Sequence, residues 1–235
     1  MNTNQNTMLT PMTRVLLAGA TGLVGRQALR QLLMDTSVQE VRVLLRRPVG
    51  VPQLMGPADA ALARAAQSKL RLCVGDFGQL SRHLDWFEVD TVLCALGTTI
   101  KKAGSQAAFR EVDYGYPLQI AHLALAQGAQ RFLLVSALGA NAQSKVFYNR
   151  VKGELENAIR AQGWPQVSVA QPSLLAGDRA EFRLGERLAL GFGWLFPESY
   201  KPVQAAQVAA GLLASAKSLE AGWHVLSNTA LRRMR

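Results

Sequence analysis

Three glycines spaced three residues apart, Gly19-Ala-Thr-Gly22-Leu-Val-Gly25, stand between an apolar run that begins at Arg14 and a stretch with helical spacing at Leu23, Leu29, Leu32 and Leu33. Few folds turn a buried strand into a helix over so short a loop. The loop must bend sharply, let its backbone approach a ligand closely, and open a helix whose first N–H groups and dipole favour an anion. Glycine meets these needs because it has no Cβ. Glycines also punctuate ordinary turns, so the string draws its weight from standing between strand and helix.

The same alternation continues along the chain. Strand-like runs at 14–19, 41–45, 70–74, 91–95, 131–136 and 167–171 are continuously apolar, and helical patterns cover 23–34, 58–68, 106–127 and 146–162. Continuous apolar strands imply burial on both faces, and βαβ order implies a parallel sheet. Right-handed crossovers then predict an α/β fold with a doubly wound parallel sheet. After Gly177 the rhythm changes: a helix over 181–190, an aromatic irregular stretch over 191–197, a helix over 204–216 and a short strand over 223–226. This reads as a small C-terminal lobe carrying the substrate half, mainly in 177–235. Residues 1–12 read as a polar, disordered tail and 13–235 as one domain, which suits a length of 235 residues.

The tail lacks the basic and apolar regions of a secretory signal, and no window approaches the ~18 apolar residues of a membrane span. Cys73 and Cys94 make no disulfide framework, so reduced thiols and a cytoplasmic location are expected. The formal charge is +10, from 26 Lys and Arg against 16 Asp and Glu. Basic residues cluster only at 46–47, 101–102 and 232–235, so nucleic-acid binding is not expected, whereas an anionic cofactor is compatible. His83, His122 and His224 show no ligand spacing, and no metal is assigned.

The end of the second strand sets the cofactor's type. An acidic residue about 20 positions beyond the loop would bind the ribose hydroxyl of NAD; here stand Arg46 and Arg47. Two guanidiniums suit a 2′-phosphate, which favours NADP over NAD. Asp76, in Val74-Gly-Asp-Phe77, is placed either to hydrogen-bond an adenine amino group or simply to form its own loop.

Tyr148-Asn-Arg-Val-Lys152 puts tyrosine and lysine one turn apart on one helix face. A phenol ordinarily titrates near 10, and a neighbouring ammonium favours its anion. Ser136 ends the fifth strand, at the carboxyl edge where doubly wound sheets bind ligands. It could hold a substrate carbonyl while Tyr148 gives or takes the proton.

With Ala95-Leu-Gly-Thr-Thr99 and Pro172-Ser-Leu-Leu175, these residues resemble an atypical short-chain dehydrogenase/reductase. Leu96–Thr99 with Ala103-Gly-Ser105, Val112-Asp113, residues 136–139 and Val151-Lys-Gly-Glu154 are similar to the Tat-interacting-protein oxidoreductase branch, an NADP-binding group. The resemblance runs over about 14–228. It implies a Rossmann fold in which Gly19, Thr21, Gly22, Leu23, Val24 and Gly25 cradle the cofactor, with Arg46, Arg47, Asp76 and Phe77 also contacting it. Ala95, Leu96, Gly97 and Thr98 would pass beside the ribose, and Pro172, Ser173, Leu174 and Leu175 would meet the nicotinamide end. Tyr148 and Lys152 would serve both cofactor and chemistry, with Ser136 as their catalytic partner. Where such enzymes carry an Asn on the long helix to hold a relay water, Asp113 is the nearest polar group here.

The leading reading is an NADP-dependent oxidoreductase acting on a small, apolar carbonyl or alcohol. Its rivals are an epimerase- or dehydratase-like enzyme and an NADP(H)-binding redox sensor that recruits a protein partner. The helix over 106–127 is a candidate for pairing across a two-fold axis as a homodimer. The stretch 190–197 is either core or a lid, with Gly191 and Gly193 as hinges and Trp194 or Phe196 over the site.

Overall fold

A strand covered on both sides must fill both faces with apolar groups, and β1 (Arg14–Ala18) does so: Val15 and Leu17 enter one hydrophobic cluster, Leu16 and Ala18 the other. The computed structural model describes residues 9–56, 60–176, 197–218 and 220–234. In chain order the further strands are β2 (Glu40–Leu45), β3 (Leu70–Val74), β4 (Thr91–Cys94), β5 (Arg131–Val135), β6 (Gln166–Gln171), β7 (Leu175–Ala176), β8 (Val203–Gln204) and β9 (Gly222–Ser227). Seven of them form one sheet in the order β3-β2-β1-β4-β5-β6-β9, and every pairing in it is parallel. The chain steps outward from β1 to β3 and then returns to place β4 against β1. Ligands of open α/β sheets bind at such a reversal, beyond the strands' carboxyl ends.

Helices cover both faces. On one lie α1 (Leu23–Met34), the short α2 (Val51–Met55), α3 (Ala60–Lys69) and, further along the chain, Ala205–Lys217, which packs Val208, Leu212 and Ala216 into the cluster that holds Leu29 and Leu32 of α1. On the other lie α6 (Tyr116–Ala126) and α7 (Phe147–Ala161), through Ile120, Ala124, Leu155 and Ile159. Between β4 and α6 come α4 (Ile100–Ala103), α5 (Gln106–Arg110) and a π-helical turn, Glu111–Gly115. The helix expected over 106–127 is thus interrupted by a π turn. We number Ala205–Lys217 α8 and Asn228–Arg232 α9.

Two expectations need correction. The strand expected over 223–226 belongs to no appended lobe: β9 pairs with β6 from Gln166↔Gly222 to Gln171↔Ser227. With α8 it completes the main sheet. Residues 9–12 are also packed, not frayed. Leu9 and Met12 are buried, and Thr10 donates its N–H to Gln130 Oε1 and accepts from Arg131 Nη2 through its carbonyl. The helix expected over 181–190 and the stretch with Gly191, Gly193, Trp194 and Phe196 lie outside the described residues. Among the described residues no helix is long and apolar enough to cross a membrane.

Candidate functional site

The glycine loop begins at the carboxyl end of β1 and is shaped by what presses on it. Gly19 has φ of +91°, and a Cβ there would lie 2.4 Å from the Ala95 carbonyl oxygen. A Cβ on Gly25 would lie 2.1 Å from the Gly19 carbonyl oxygen, so α1 can start this close to the loop only with glycine in its first turn. Gly22 is the N-cap, no side chain caps the helix, and its first turn holds no acidic residue. The leading N–H groups of α1 therefore keep their capacity for an anion.

Above the loop opens a cleft of about 590 Å³. Gly19, Thr21, Gly22, Arg46, Arg47, Phe77, Ala95, Leu96, Gly97 and Thr98 all line it, so ten of the sequence-derived contacts meet in one place. Arg46 and Arg47 are exposed and form no ion pair with the described residues. Leu23 and Val24 instead join the packing of α1: Val24 is core and Leu23 packs against it. Lys102, Glu111 and Tyr116 line the cleft as well. Sequence reading named none of them as a contact, although it noted the basic pair 101–102 as compatible with an anionic cofactor. Tyr116 meets Phe77 edge-on, with ring centroids 5.4 Å apart. A cradle that a Cβ would fill, an uncapped helix start and two unpaired guanidiniums fit a phosphorylated dinucleotide.

Ser136, Tyr148 and Lys152 do not line this cleft; Lys152 stands behind one of its walls. Phe109, fully buried, packs against Phe147 and Tyr148 with centroid distances of 5.6 and 5.7 Å, which seats the first turn of α7. One turn on, Lys152 Nζ is 2.8 Å from Asp113 Oδ1. Asp113 Oδ2 accepts the Thr98 N–H at 2.9 Å. A Cβ on Gly97 would lie 3.5 Å from that carboxylate and 3.9 Å from Lys152 Nζ, so the ion pair lies directly under the Gly97–Thr98 wall. Burial pushes the Lys152 pKa down, but the Asp113 charge, with Tyr148 and Cys94, more than offsets it, and the net direction is up. Cys94 itself is pushed up to about 11 by burial, as is Cys73. Both thiols are therefore protonated at neutral pH and unreactive.

Ser136 is engaged elsewhere. Its hydroxyl donates to Glu156 Oε1, and Gln171 Nε2 donates to both oxygens of the same carboxylate at 3.1 Å. The serine expected to donate to a substrate carbonyl thus has its one proton committed and offers lone pairs instead. Glu156 escaped sequence reading although it lies four residues past Lys152. The loop between β5 and α7 is seated on Gly153, where a Cβ would come within 2.2 Å of the Ala142 nitrogen, and Asn141 N–H donates to the Asn149 carbonyl.

Asp76 does not line the cleft. It is exposed, and its carboxylate caps the turn that follows by accepting the Gly78 N–H at 2.9 Å. This is the loop-forming role. Pro172 accepts the Leu138 N–H, while Ser173 donates to the Lys201 carbonyl and gives its own N–H to Asn228 Oδ1. Leu174 is half exposed, and Leu175 pairs with Val203 in the small β7–β8 ladder. Asn228, almost fully buried, also donates to the Ser199 and Lys201 carbonyls and fastens this corner. None of these four residues borders the cleft.

The NAD(P)H-binding family model matches residues 19–217. The protein HTATIP2 of Rattus norvegicus is 33% identical over 187 residues, covering 79% of this chain and 72% of its own length. The protein "fmp52, mitochondrial" of Aspergillus niger is 33% identical over 189 residues, covering 78% and 76%. Among solved structures, MoeE5 in complex with UDP-glucose and NAD matches with a TM-score of 0.67 at 14% identity, over 91% of this chain and 75% of that one. The PhqB reductase domain from Penicillium fellutanum matches with a TM-score of 0.61 at 19% identity, over 87% and 64%. At such identities the structures speak to the fold alone.

Proposed function

The chain belongs to the NAD(P)H-binding family, in the group of HTATIP2 and FMP52, and from that premise we propose that it is an NADP-dependent oxidoreductase of the short-chain dehydrogenase/reductase type. One observation carries the reading: a fully buried lysine ammonium lies under the Gly97–Thr98 wall, one helical turn from Tyr148.

Gly19, Gly22 and the opening N–H groups of α1 would hold a pyrophosphate, Arg46 and Arg47 a 2′-phosphate, and Leu96, Gly97 and Thr98 the inner ribose. When bound, the nicotinamide supplies or accepts the hydride. Tyr148 gives the proton to a substrate oxygen, and the Lys152 ammonium stabilises the negative charge that develops on the phenol oxygen. The substrate class, a small apolar carbonyl or alcohol, rests on the glycine-broken aromatic run 190–197. We place the protein in the cytosol, whereas the fungal relatives are called mitochondrial.

The engagement of Ser136 by Glu156 favours a second reading, an NADP(H) sensor with little turnover. A panel of carbonyl compounds with NADPH decides between them. Steady turnover that falls ~10²–10⁴-fold in Tyr148→Phe, with NADPH affinity kept within about threefold, is the result expected of the enzyme. Binding without turnover across the panel, or turnover that survives in Tyr148→Phe, would overturn it.

Cofactor choice is tested separately. NADP(H) should bind tighter than NAD(H) by ~1–3 kcal/mol, the range of one charge-assisted contact. Replacing Arg46 and Arg47 together with alanine should close that gap in a calorimetric titration. Equal affinities in the parent protein would remove the preference.

A further inference from the structure

The Asp113–Lys152 pair is isolated from water, with side-chain exposures of 1% and 4%. A lysine in such a seat can resolve the cost of burial by losing its proton, because desolvation disfavours the charged form. What faces the ammonium therefore decides its state. From its own helix comes Tyr148, from β4 the Cys94 thiol, and from the π-helical turn Glu111–Gly115 the Asp113 carboxylate. Asp113 is the one carboxylate among them. The π turn holds Asp113, fully buried, between α5 and α6, and such single-turn bulges recur at functional sites. Its second oxygen holds Thr98 N–H, so the same carboxylate grips both the lysine and the cleft wall.

We propose that Asp113 is a positioning residue that keeps Lys152 protonated in its buried seat and ties that charge to the Gly97–Thr98 wall of the cleft. Its meaning for catalysis rests on the oxidoreductase reading given above; its test does not.

The test is thermal unfolding of the full chain without cofactor, between pH 7 and 9.5, for the parent, Asp113→Asn, and Asp113→Asn combined with Lys152→Met or Lys152→Arg. In the parent the folded-state pKa of Lys152 is raised, so its contribution is fully present below the unfolded value and is lost only above this window. In Asp113→Asn the carboxylate that chiefly offsets burial is gone, and the folded-state pKa falls below the unfolded one. The deficit relative to the parent is then largest at pH 7 and shrinks as pH rises, approaching a tenfold gain in the folded-to-unfolded ratio per pH unit. Both double variants should show a pH-independent difference from the parent, because methionine cannot titrate and arginine stays charged.

A deficit of Asp113→Asn that is equal at every pH marks a merely structural contact and overturns the proposal. So does a slope that persists with Lys152→Met, since another group would then be its source. Should Asp113→Asn show no folding transition at pH 7, a transition regained there by the Asp113→Asn/Lys152→Met pair counts for the proposal, and its absence against. The functional reading fails by a different sign: no turnover across the carbonyl panel, or turnover that survives in Tyr148→Phe.

Discussion

Gly19→Ala is expected to lose NADP(H) binding by about 100-fold or more, equivalent to roughly 2.7 kcal/mol. Two costs coincide at this position. The backbone stands at φ +91°, where an L side chain is strained by ~1–2 kcal/mol. The new methyl would also lie 2.4 Å from the carbonyl oxygen of Ala95, the residue that follows β4 and whose N–H is held by the Ala18 carbonyl. The loop must therefore move away from the sheet edge, and with it the opening of α1. Gly56→Ala separates the two costs, because Gly56 has φ of +67° but nothing within 4 Å of a Cβ. It should show the backbone penalty in thermal unfolding and bind NADPH as the parent does. Titration of NADPH fluorescence measures both. Gly19→Ala binding within about threefold of the parent would mean that the loop does not cradle the pyrophosphate.

Lys152→Ala carries the largest expected loss of stability. It leaves the Asp113 carboxylate buried with the Thr98 N–H as its remaining partner. Removing one member of a buried ion pair costs about 3–5 kcal/mol, chiefly the desolvation of the charge left behind. For a chain of this size that corresponds to a fall in Tm of ~6–20 °C, with NADPH binding weakened in the same protein. The loss should be smaller when Asp113→Asn accompanies it, because no charge then remains without a partner. A Tm within ~2 °C of the parent would show the pair to be far more solvated than its burial implies.

The parts of the fold that sequence reading reached share a physical trait: their signal is local. A strand covered on both faces carries apolar groups on both, so β1, β4 and β5 announce themselves after their first residue. A turn that leads from strand to helix beside a carbonyl oxygen must be glycine, and the spacing of Tyr148 and Lys152 places them on one face wherever the helix lies. The cleft's floor and its two arginines were legible for the same reason.

What failed were choices of partner. β9 is an edge strand with only partly buried side chains, so its short, half-apolar pattern does not tell a lobe from the seventh strand of the sheet. The pairing with β6 does. The apolar stripe of α8 says that it packs, not that α1 receives it. Arg131, the first residue of β5, is fully buried and holds the Ala216 and Thr10 carbonyls, although composition alone assigns arginine to the surface. Ser136 was found at the end of the fifth strand, and Asp113 as the polar residue nearest the relay position on the long helix. Their partners, Glu156 twenty residues on and Lys152 thirty-nine residues on, are decided by the distance between helix and sheet across the folded core. Periodicity and turn chemistry are properties of a few neighbouring residues and survive in the sequence; the state of a buried charge depends on which group the packing brings to it.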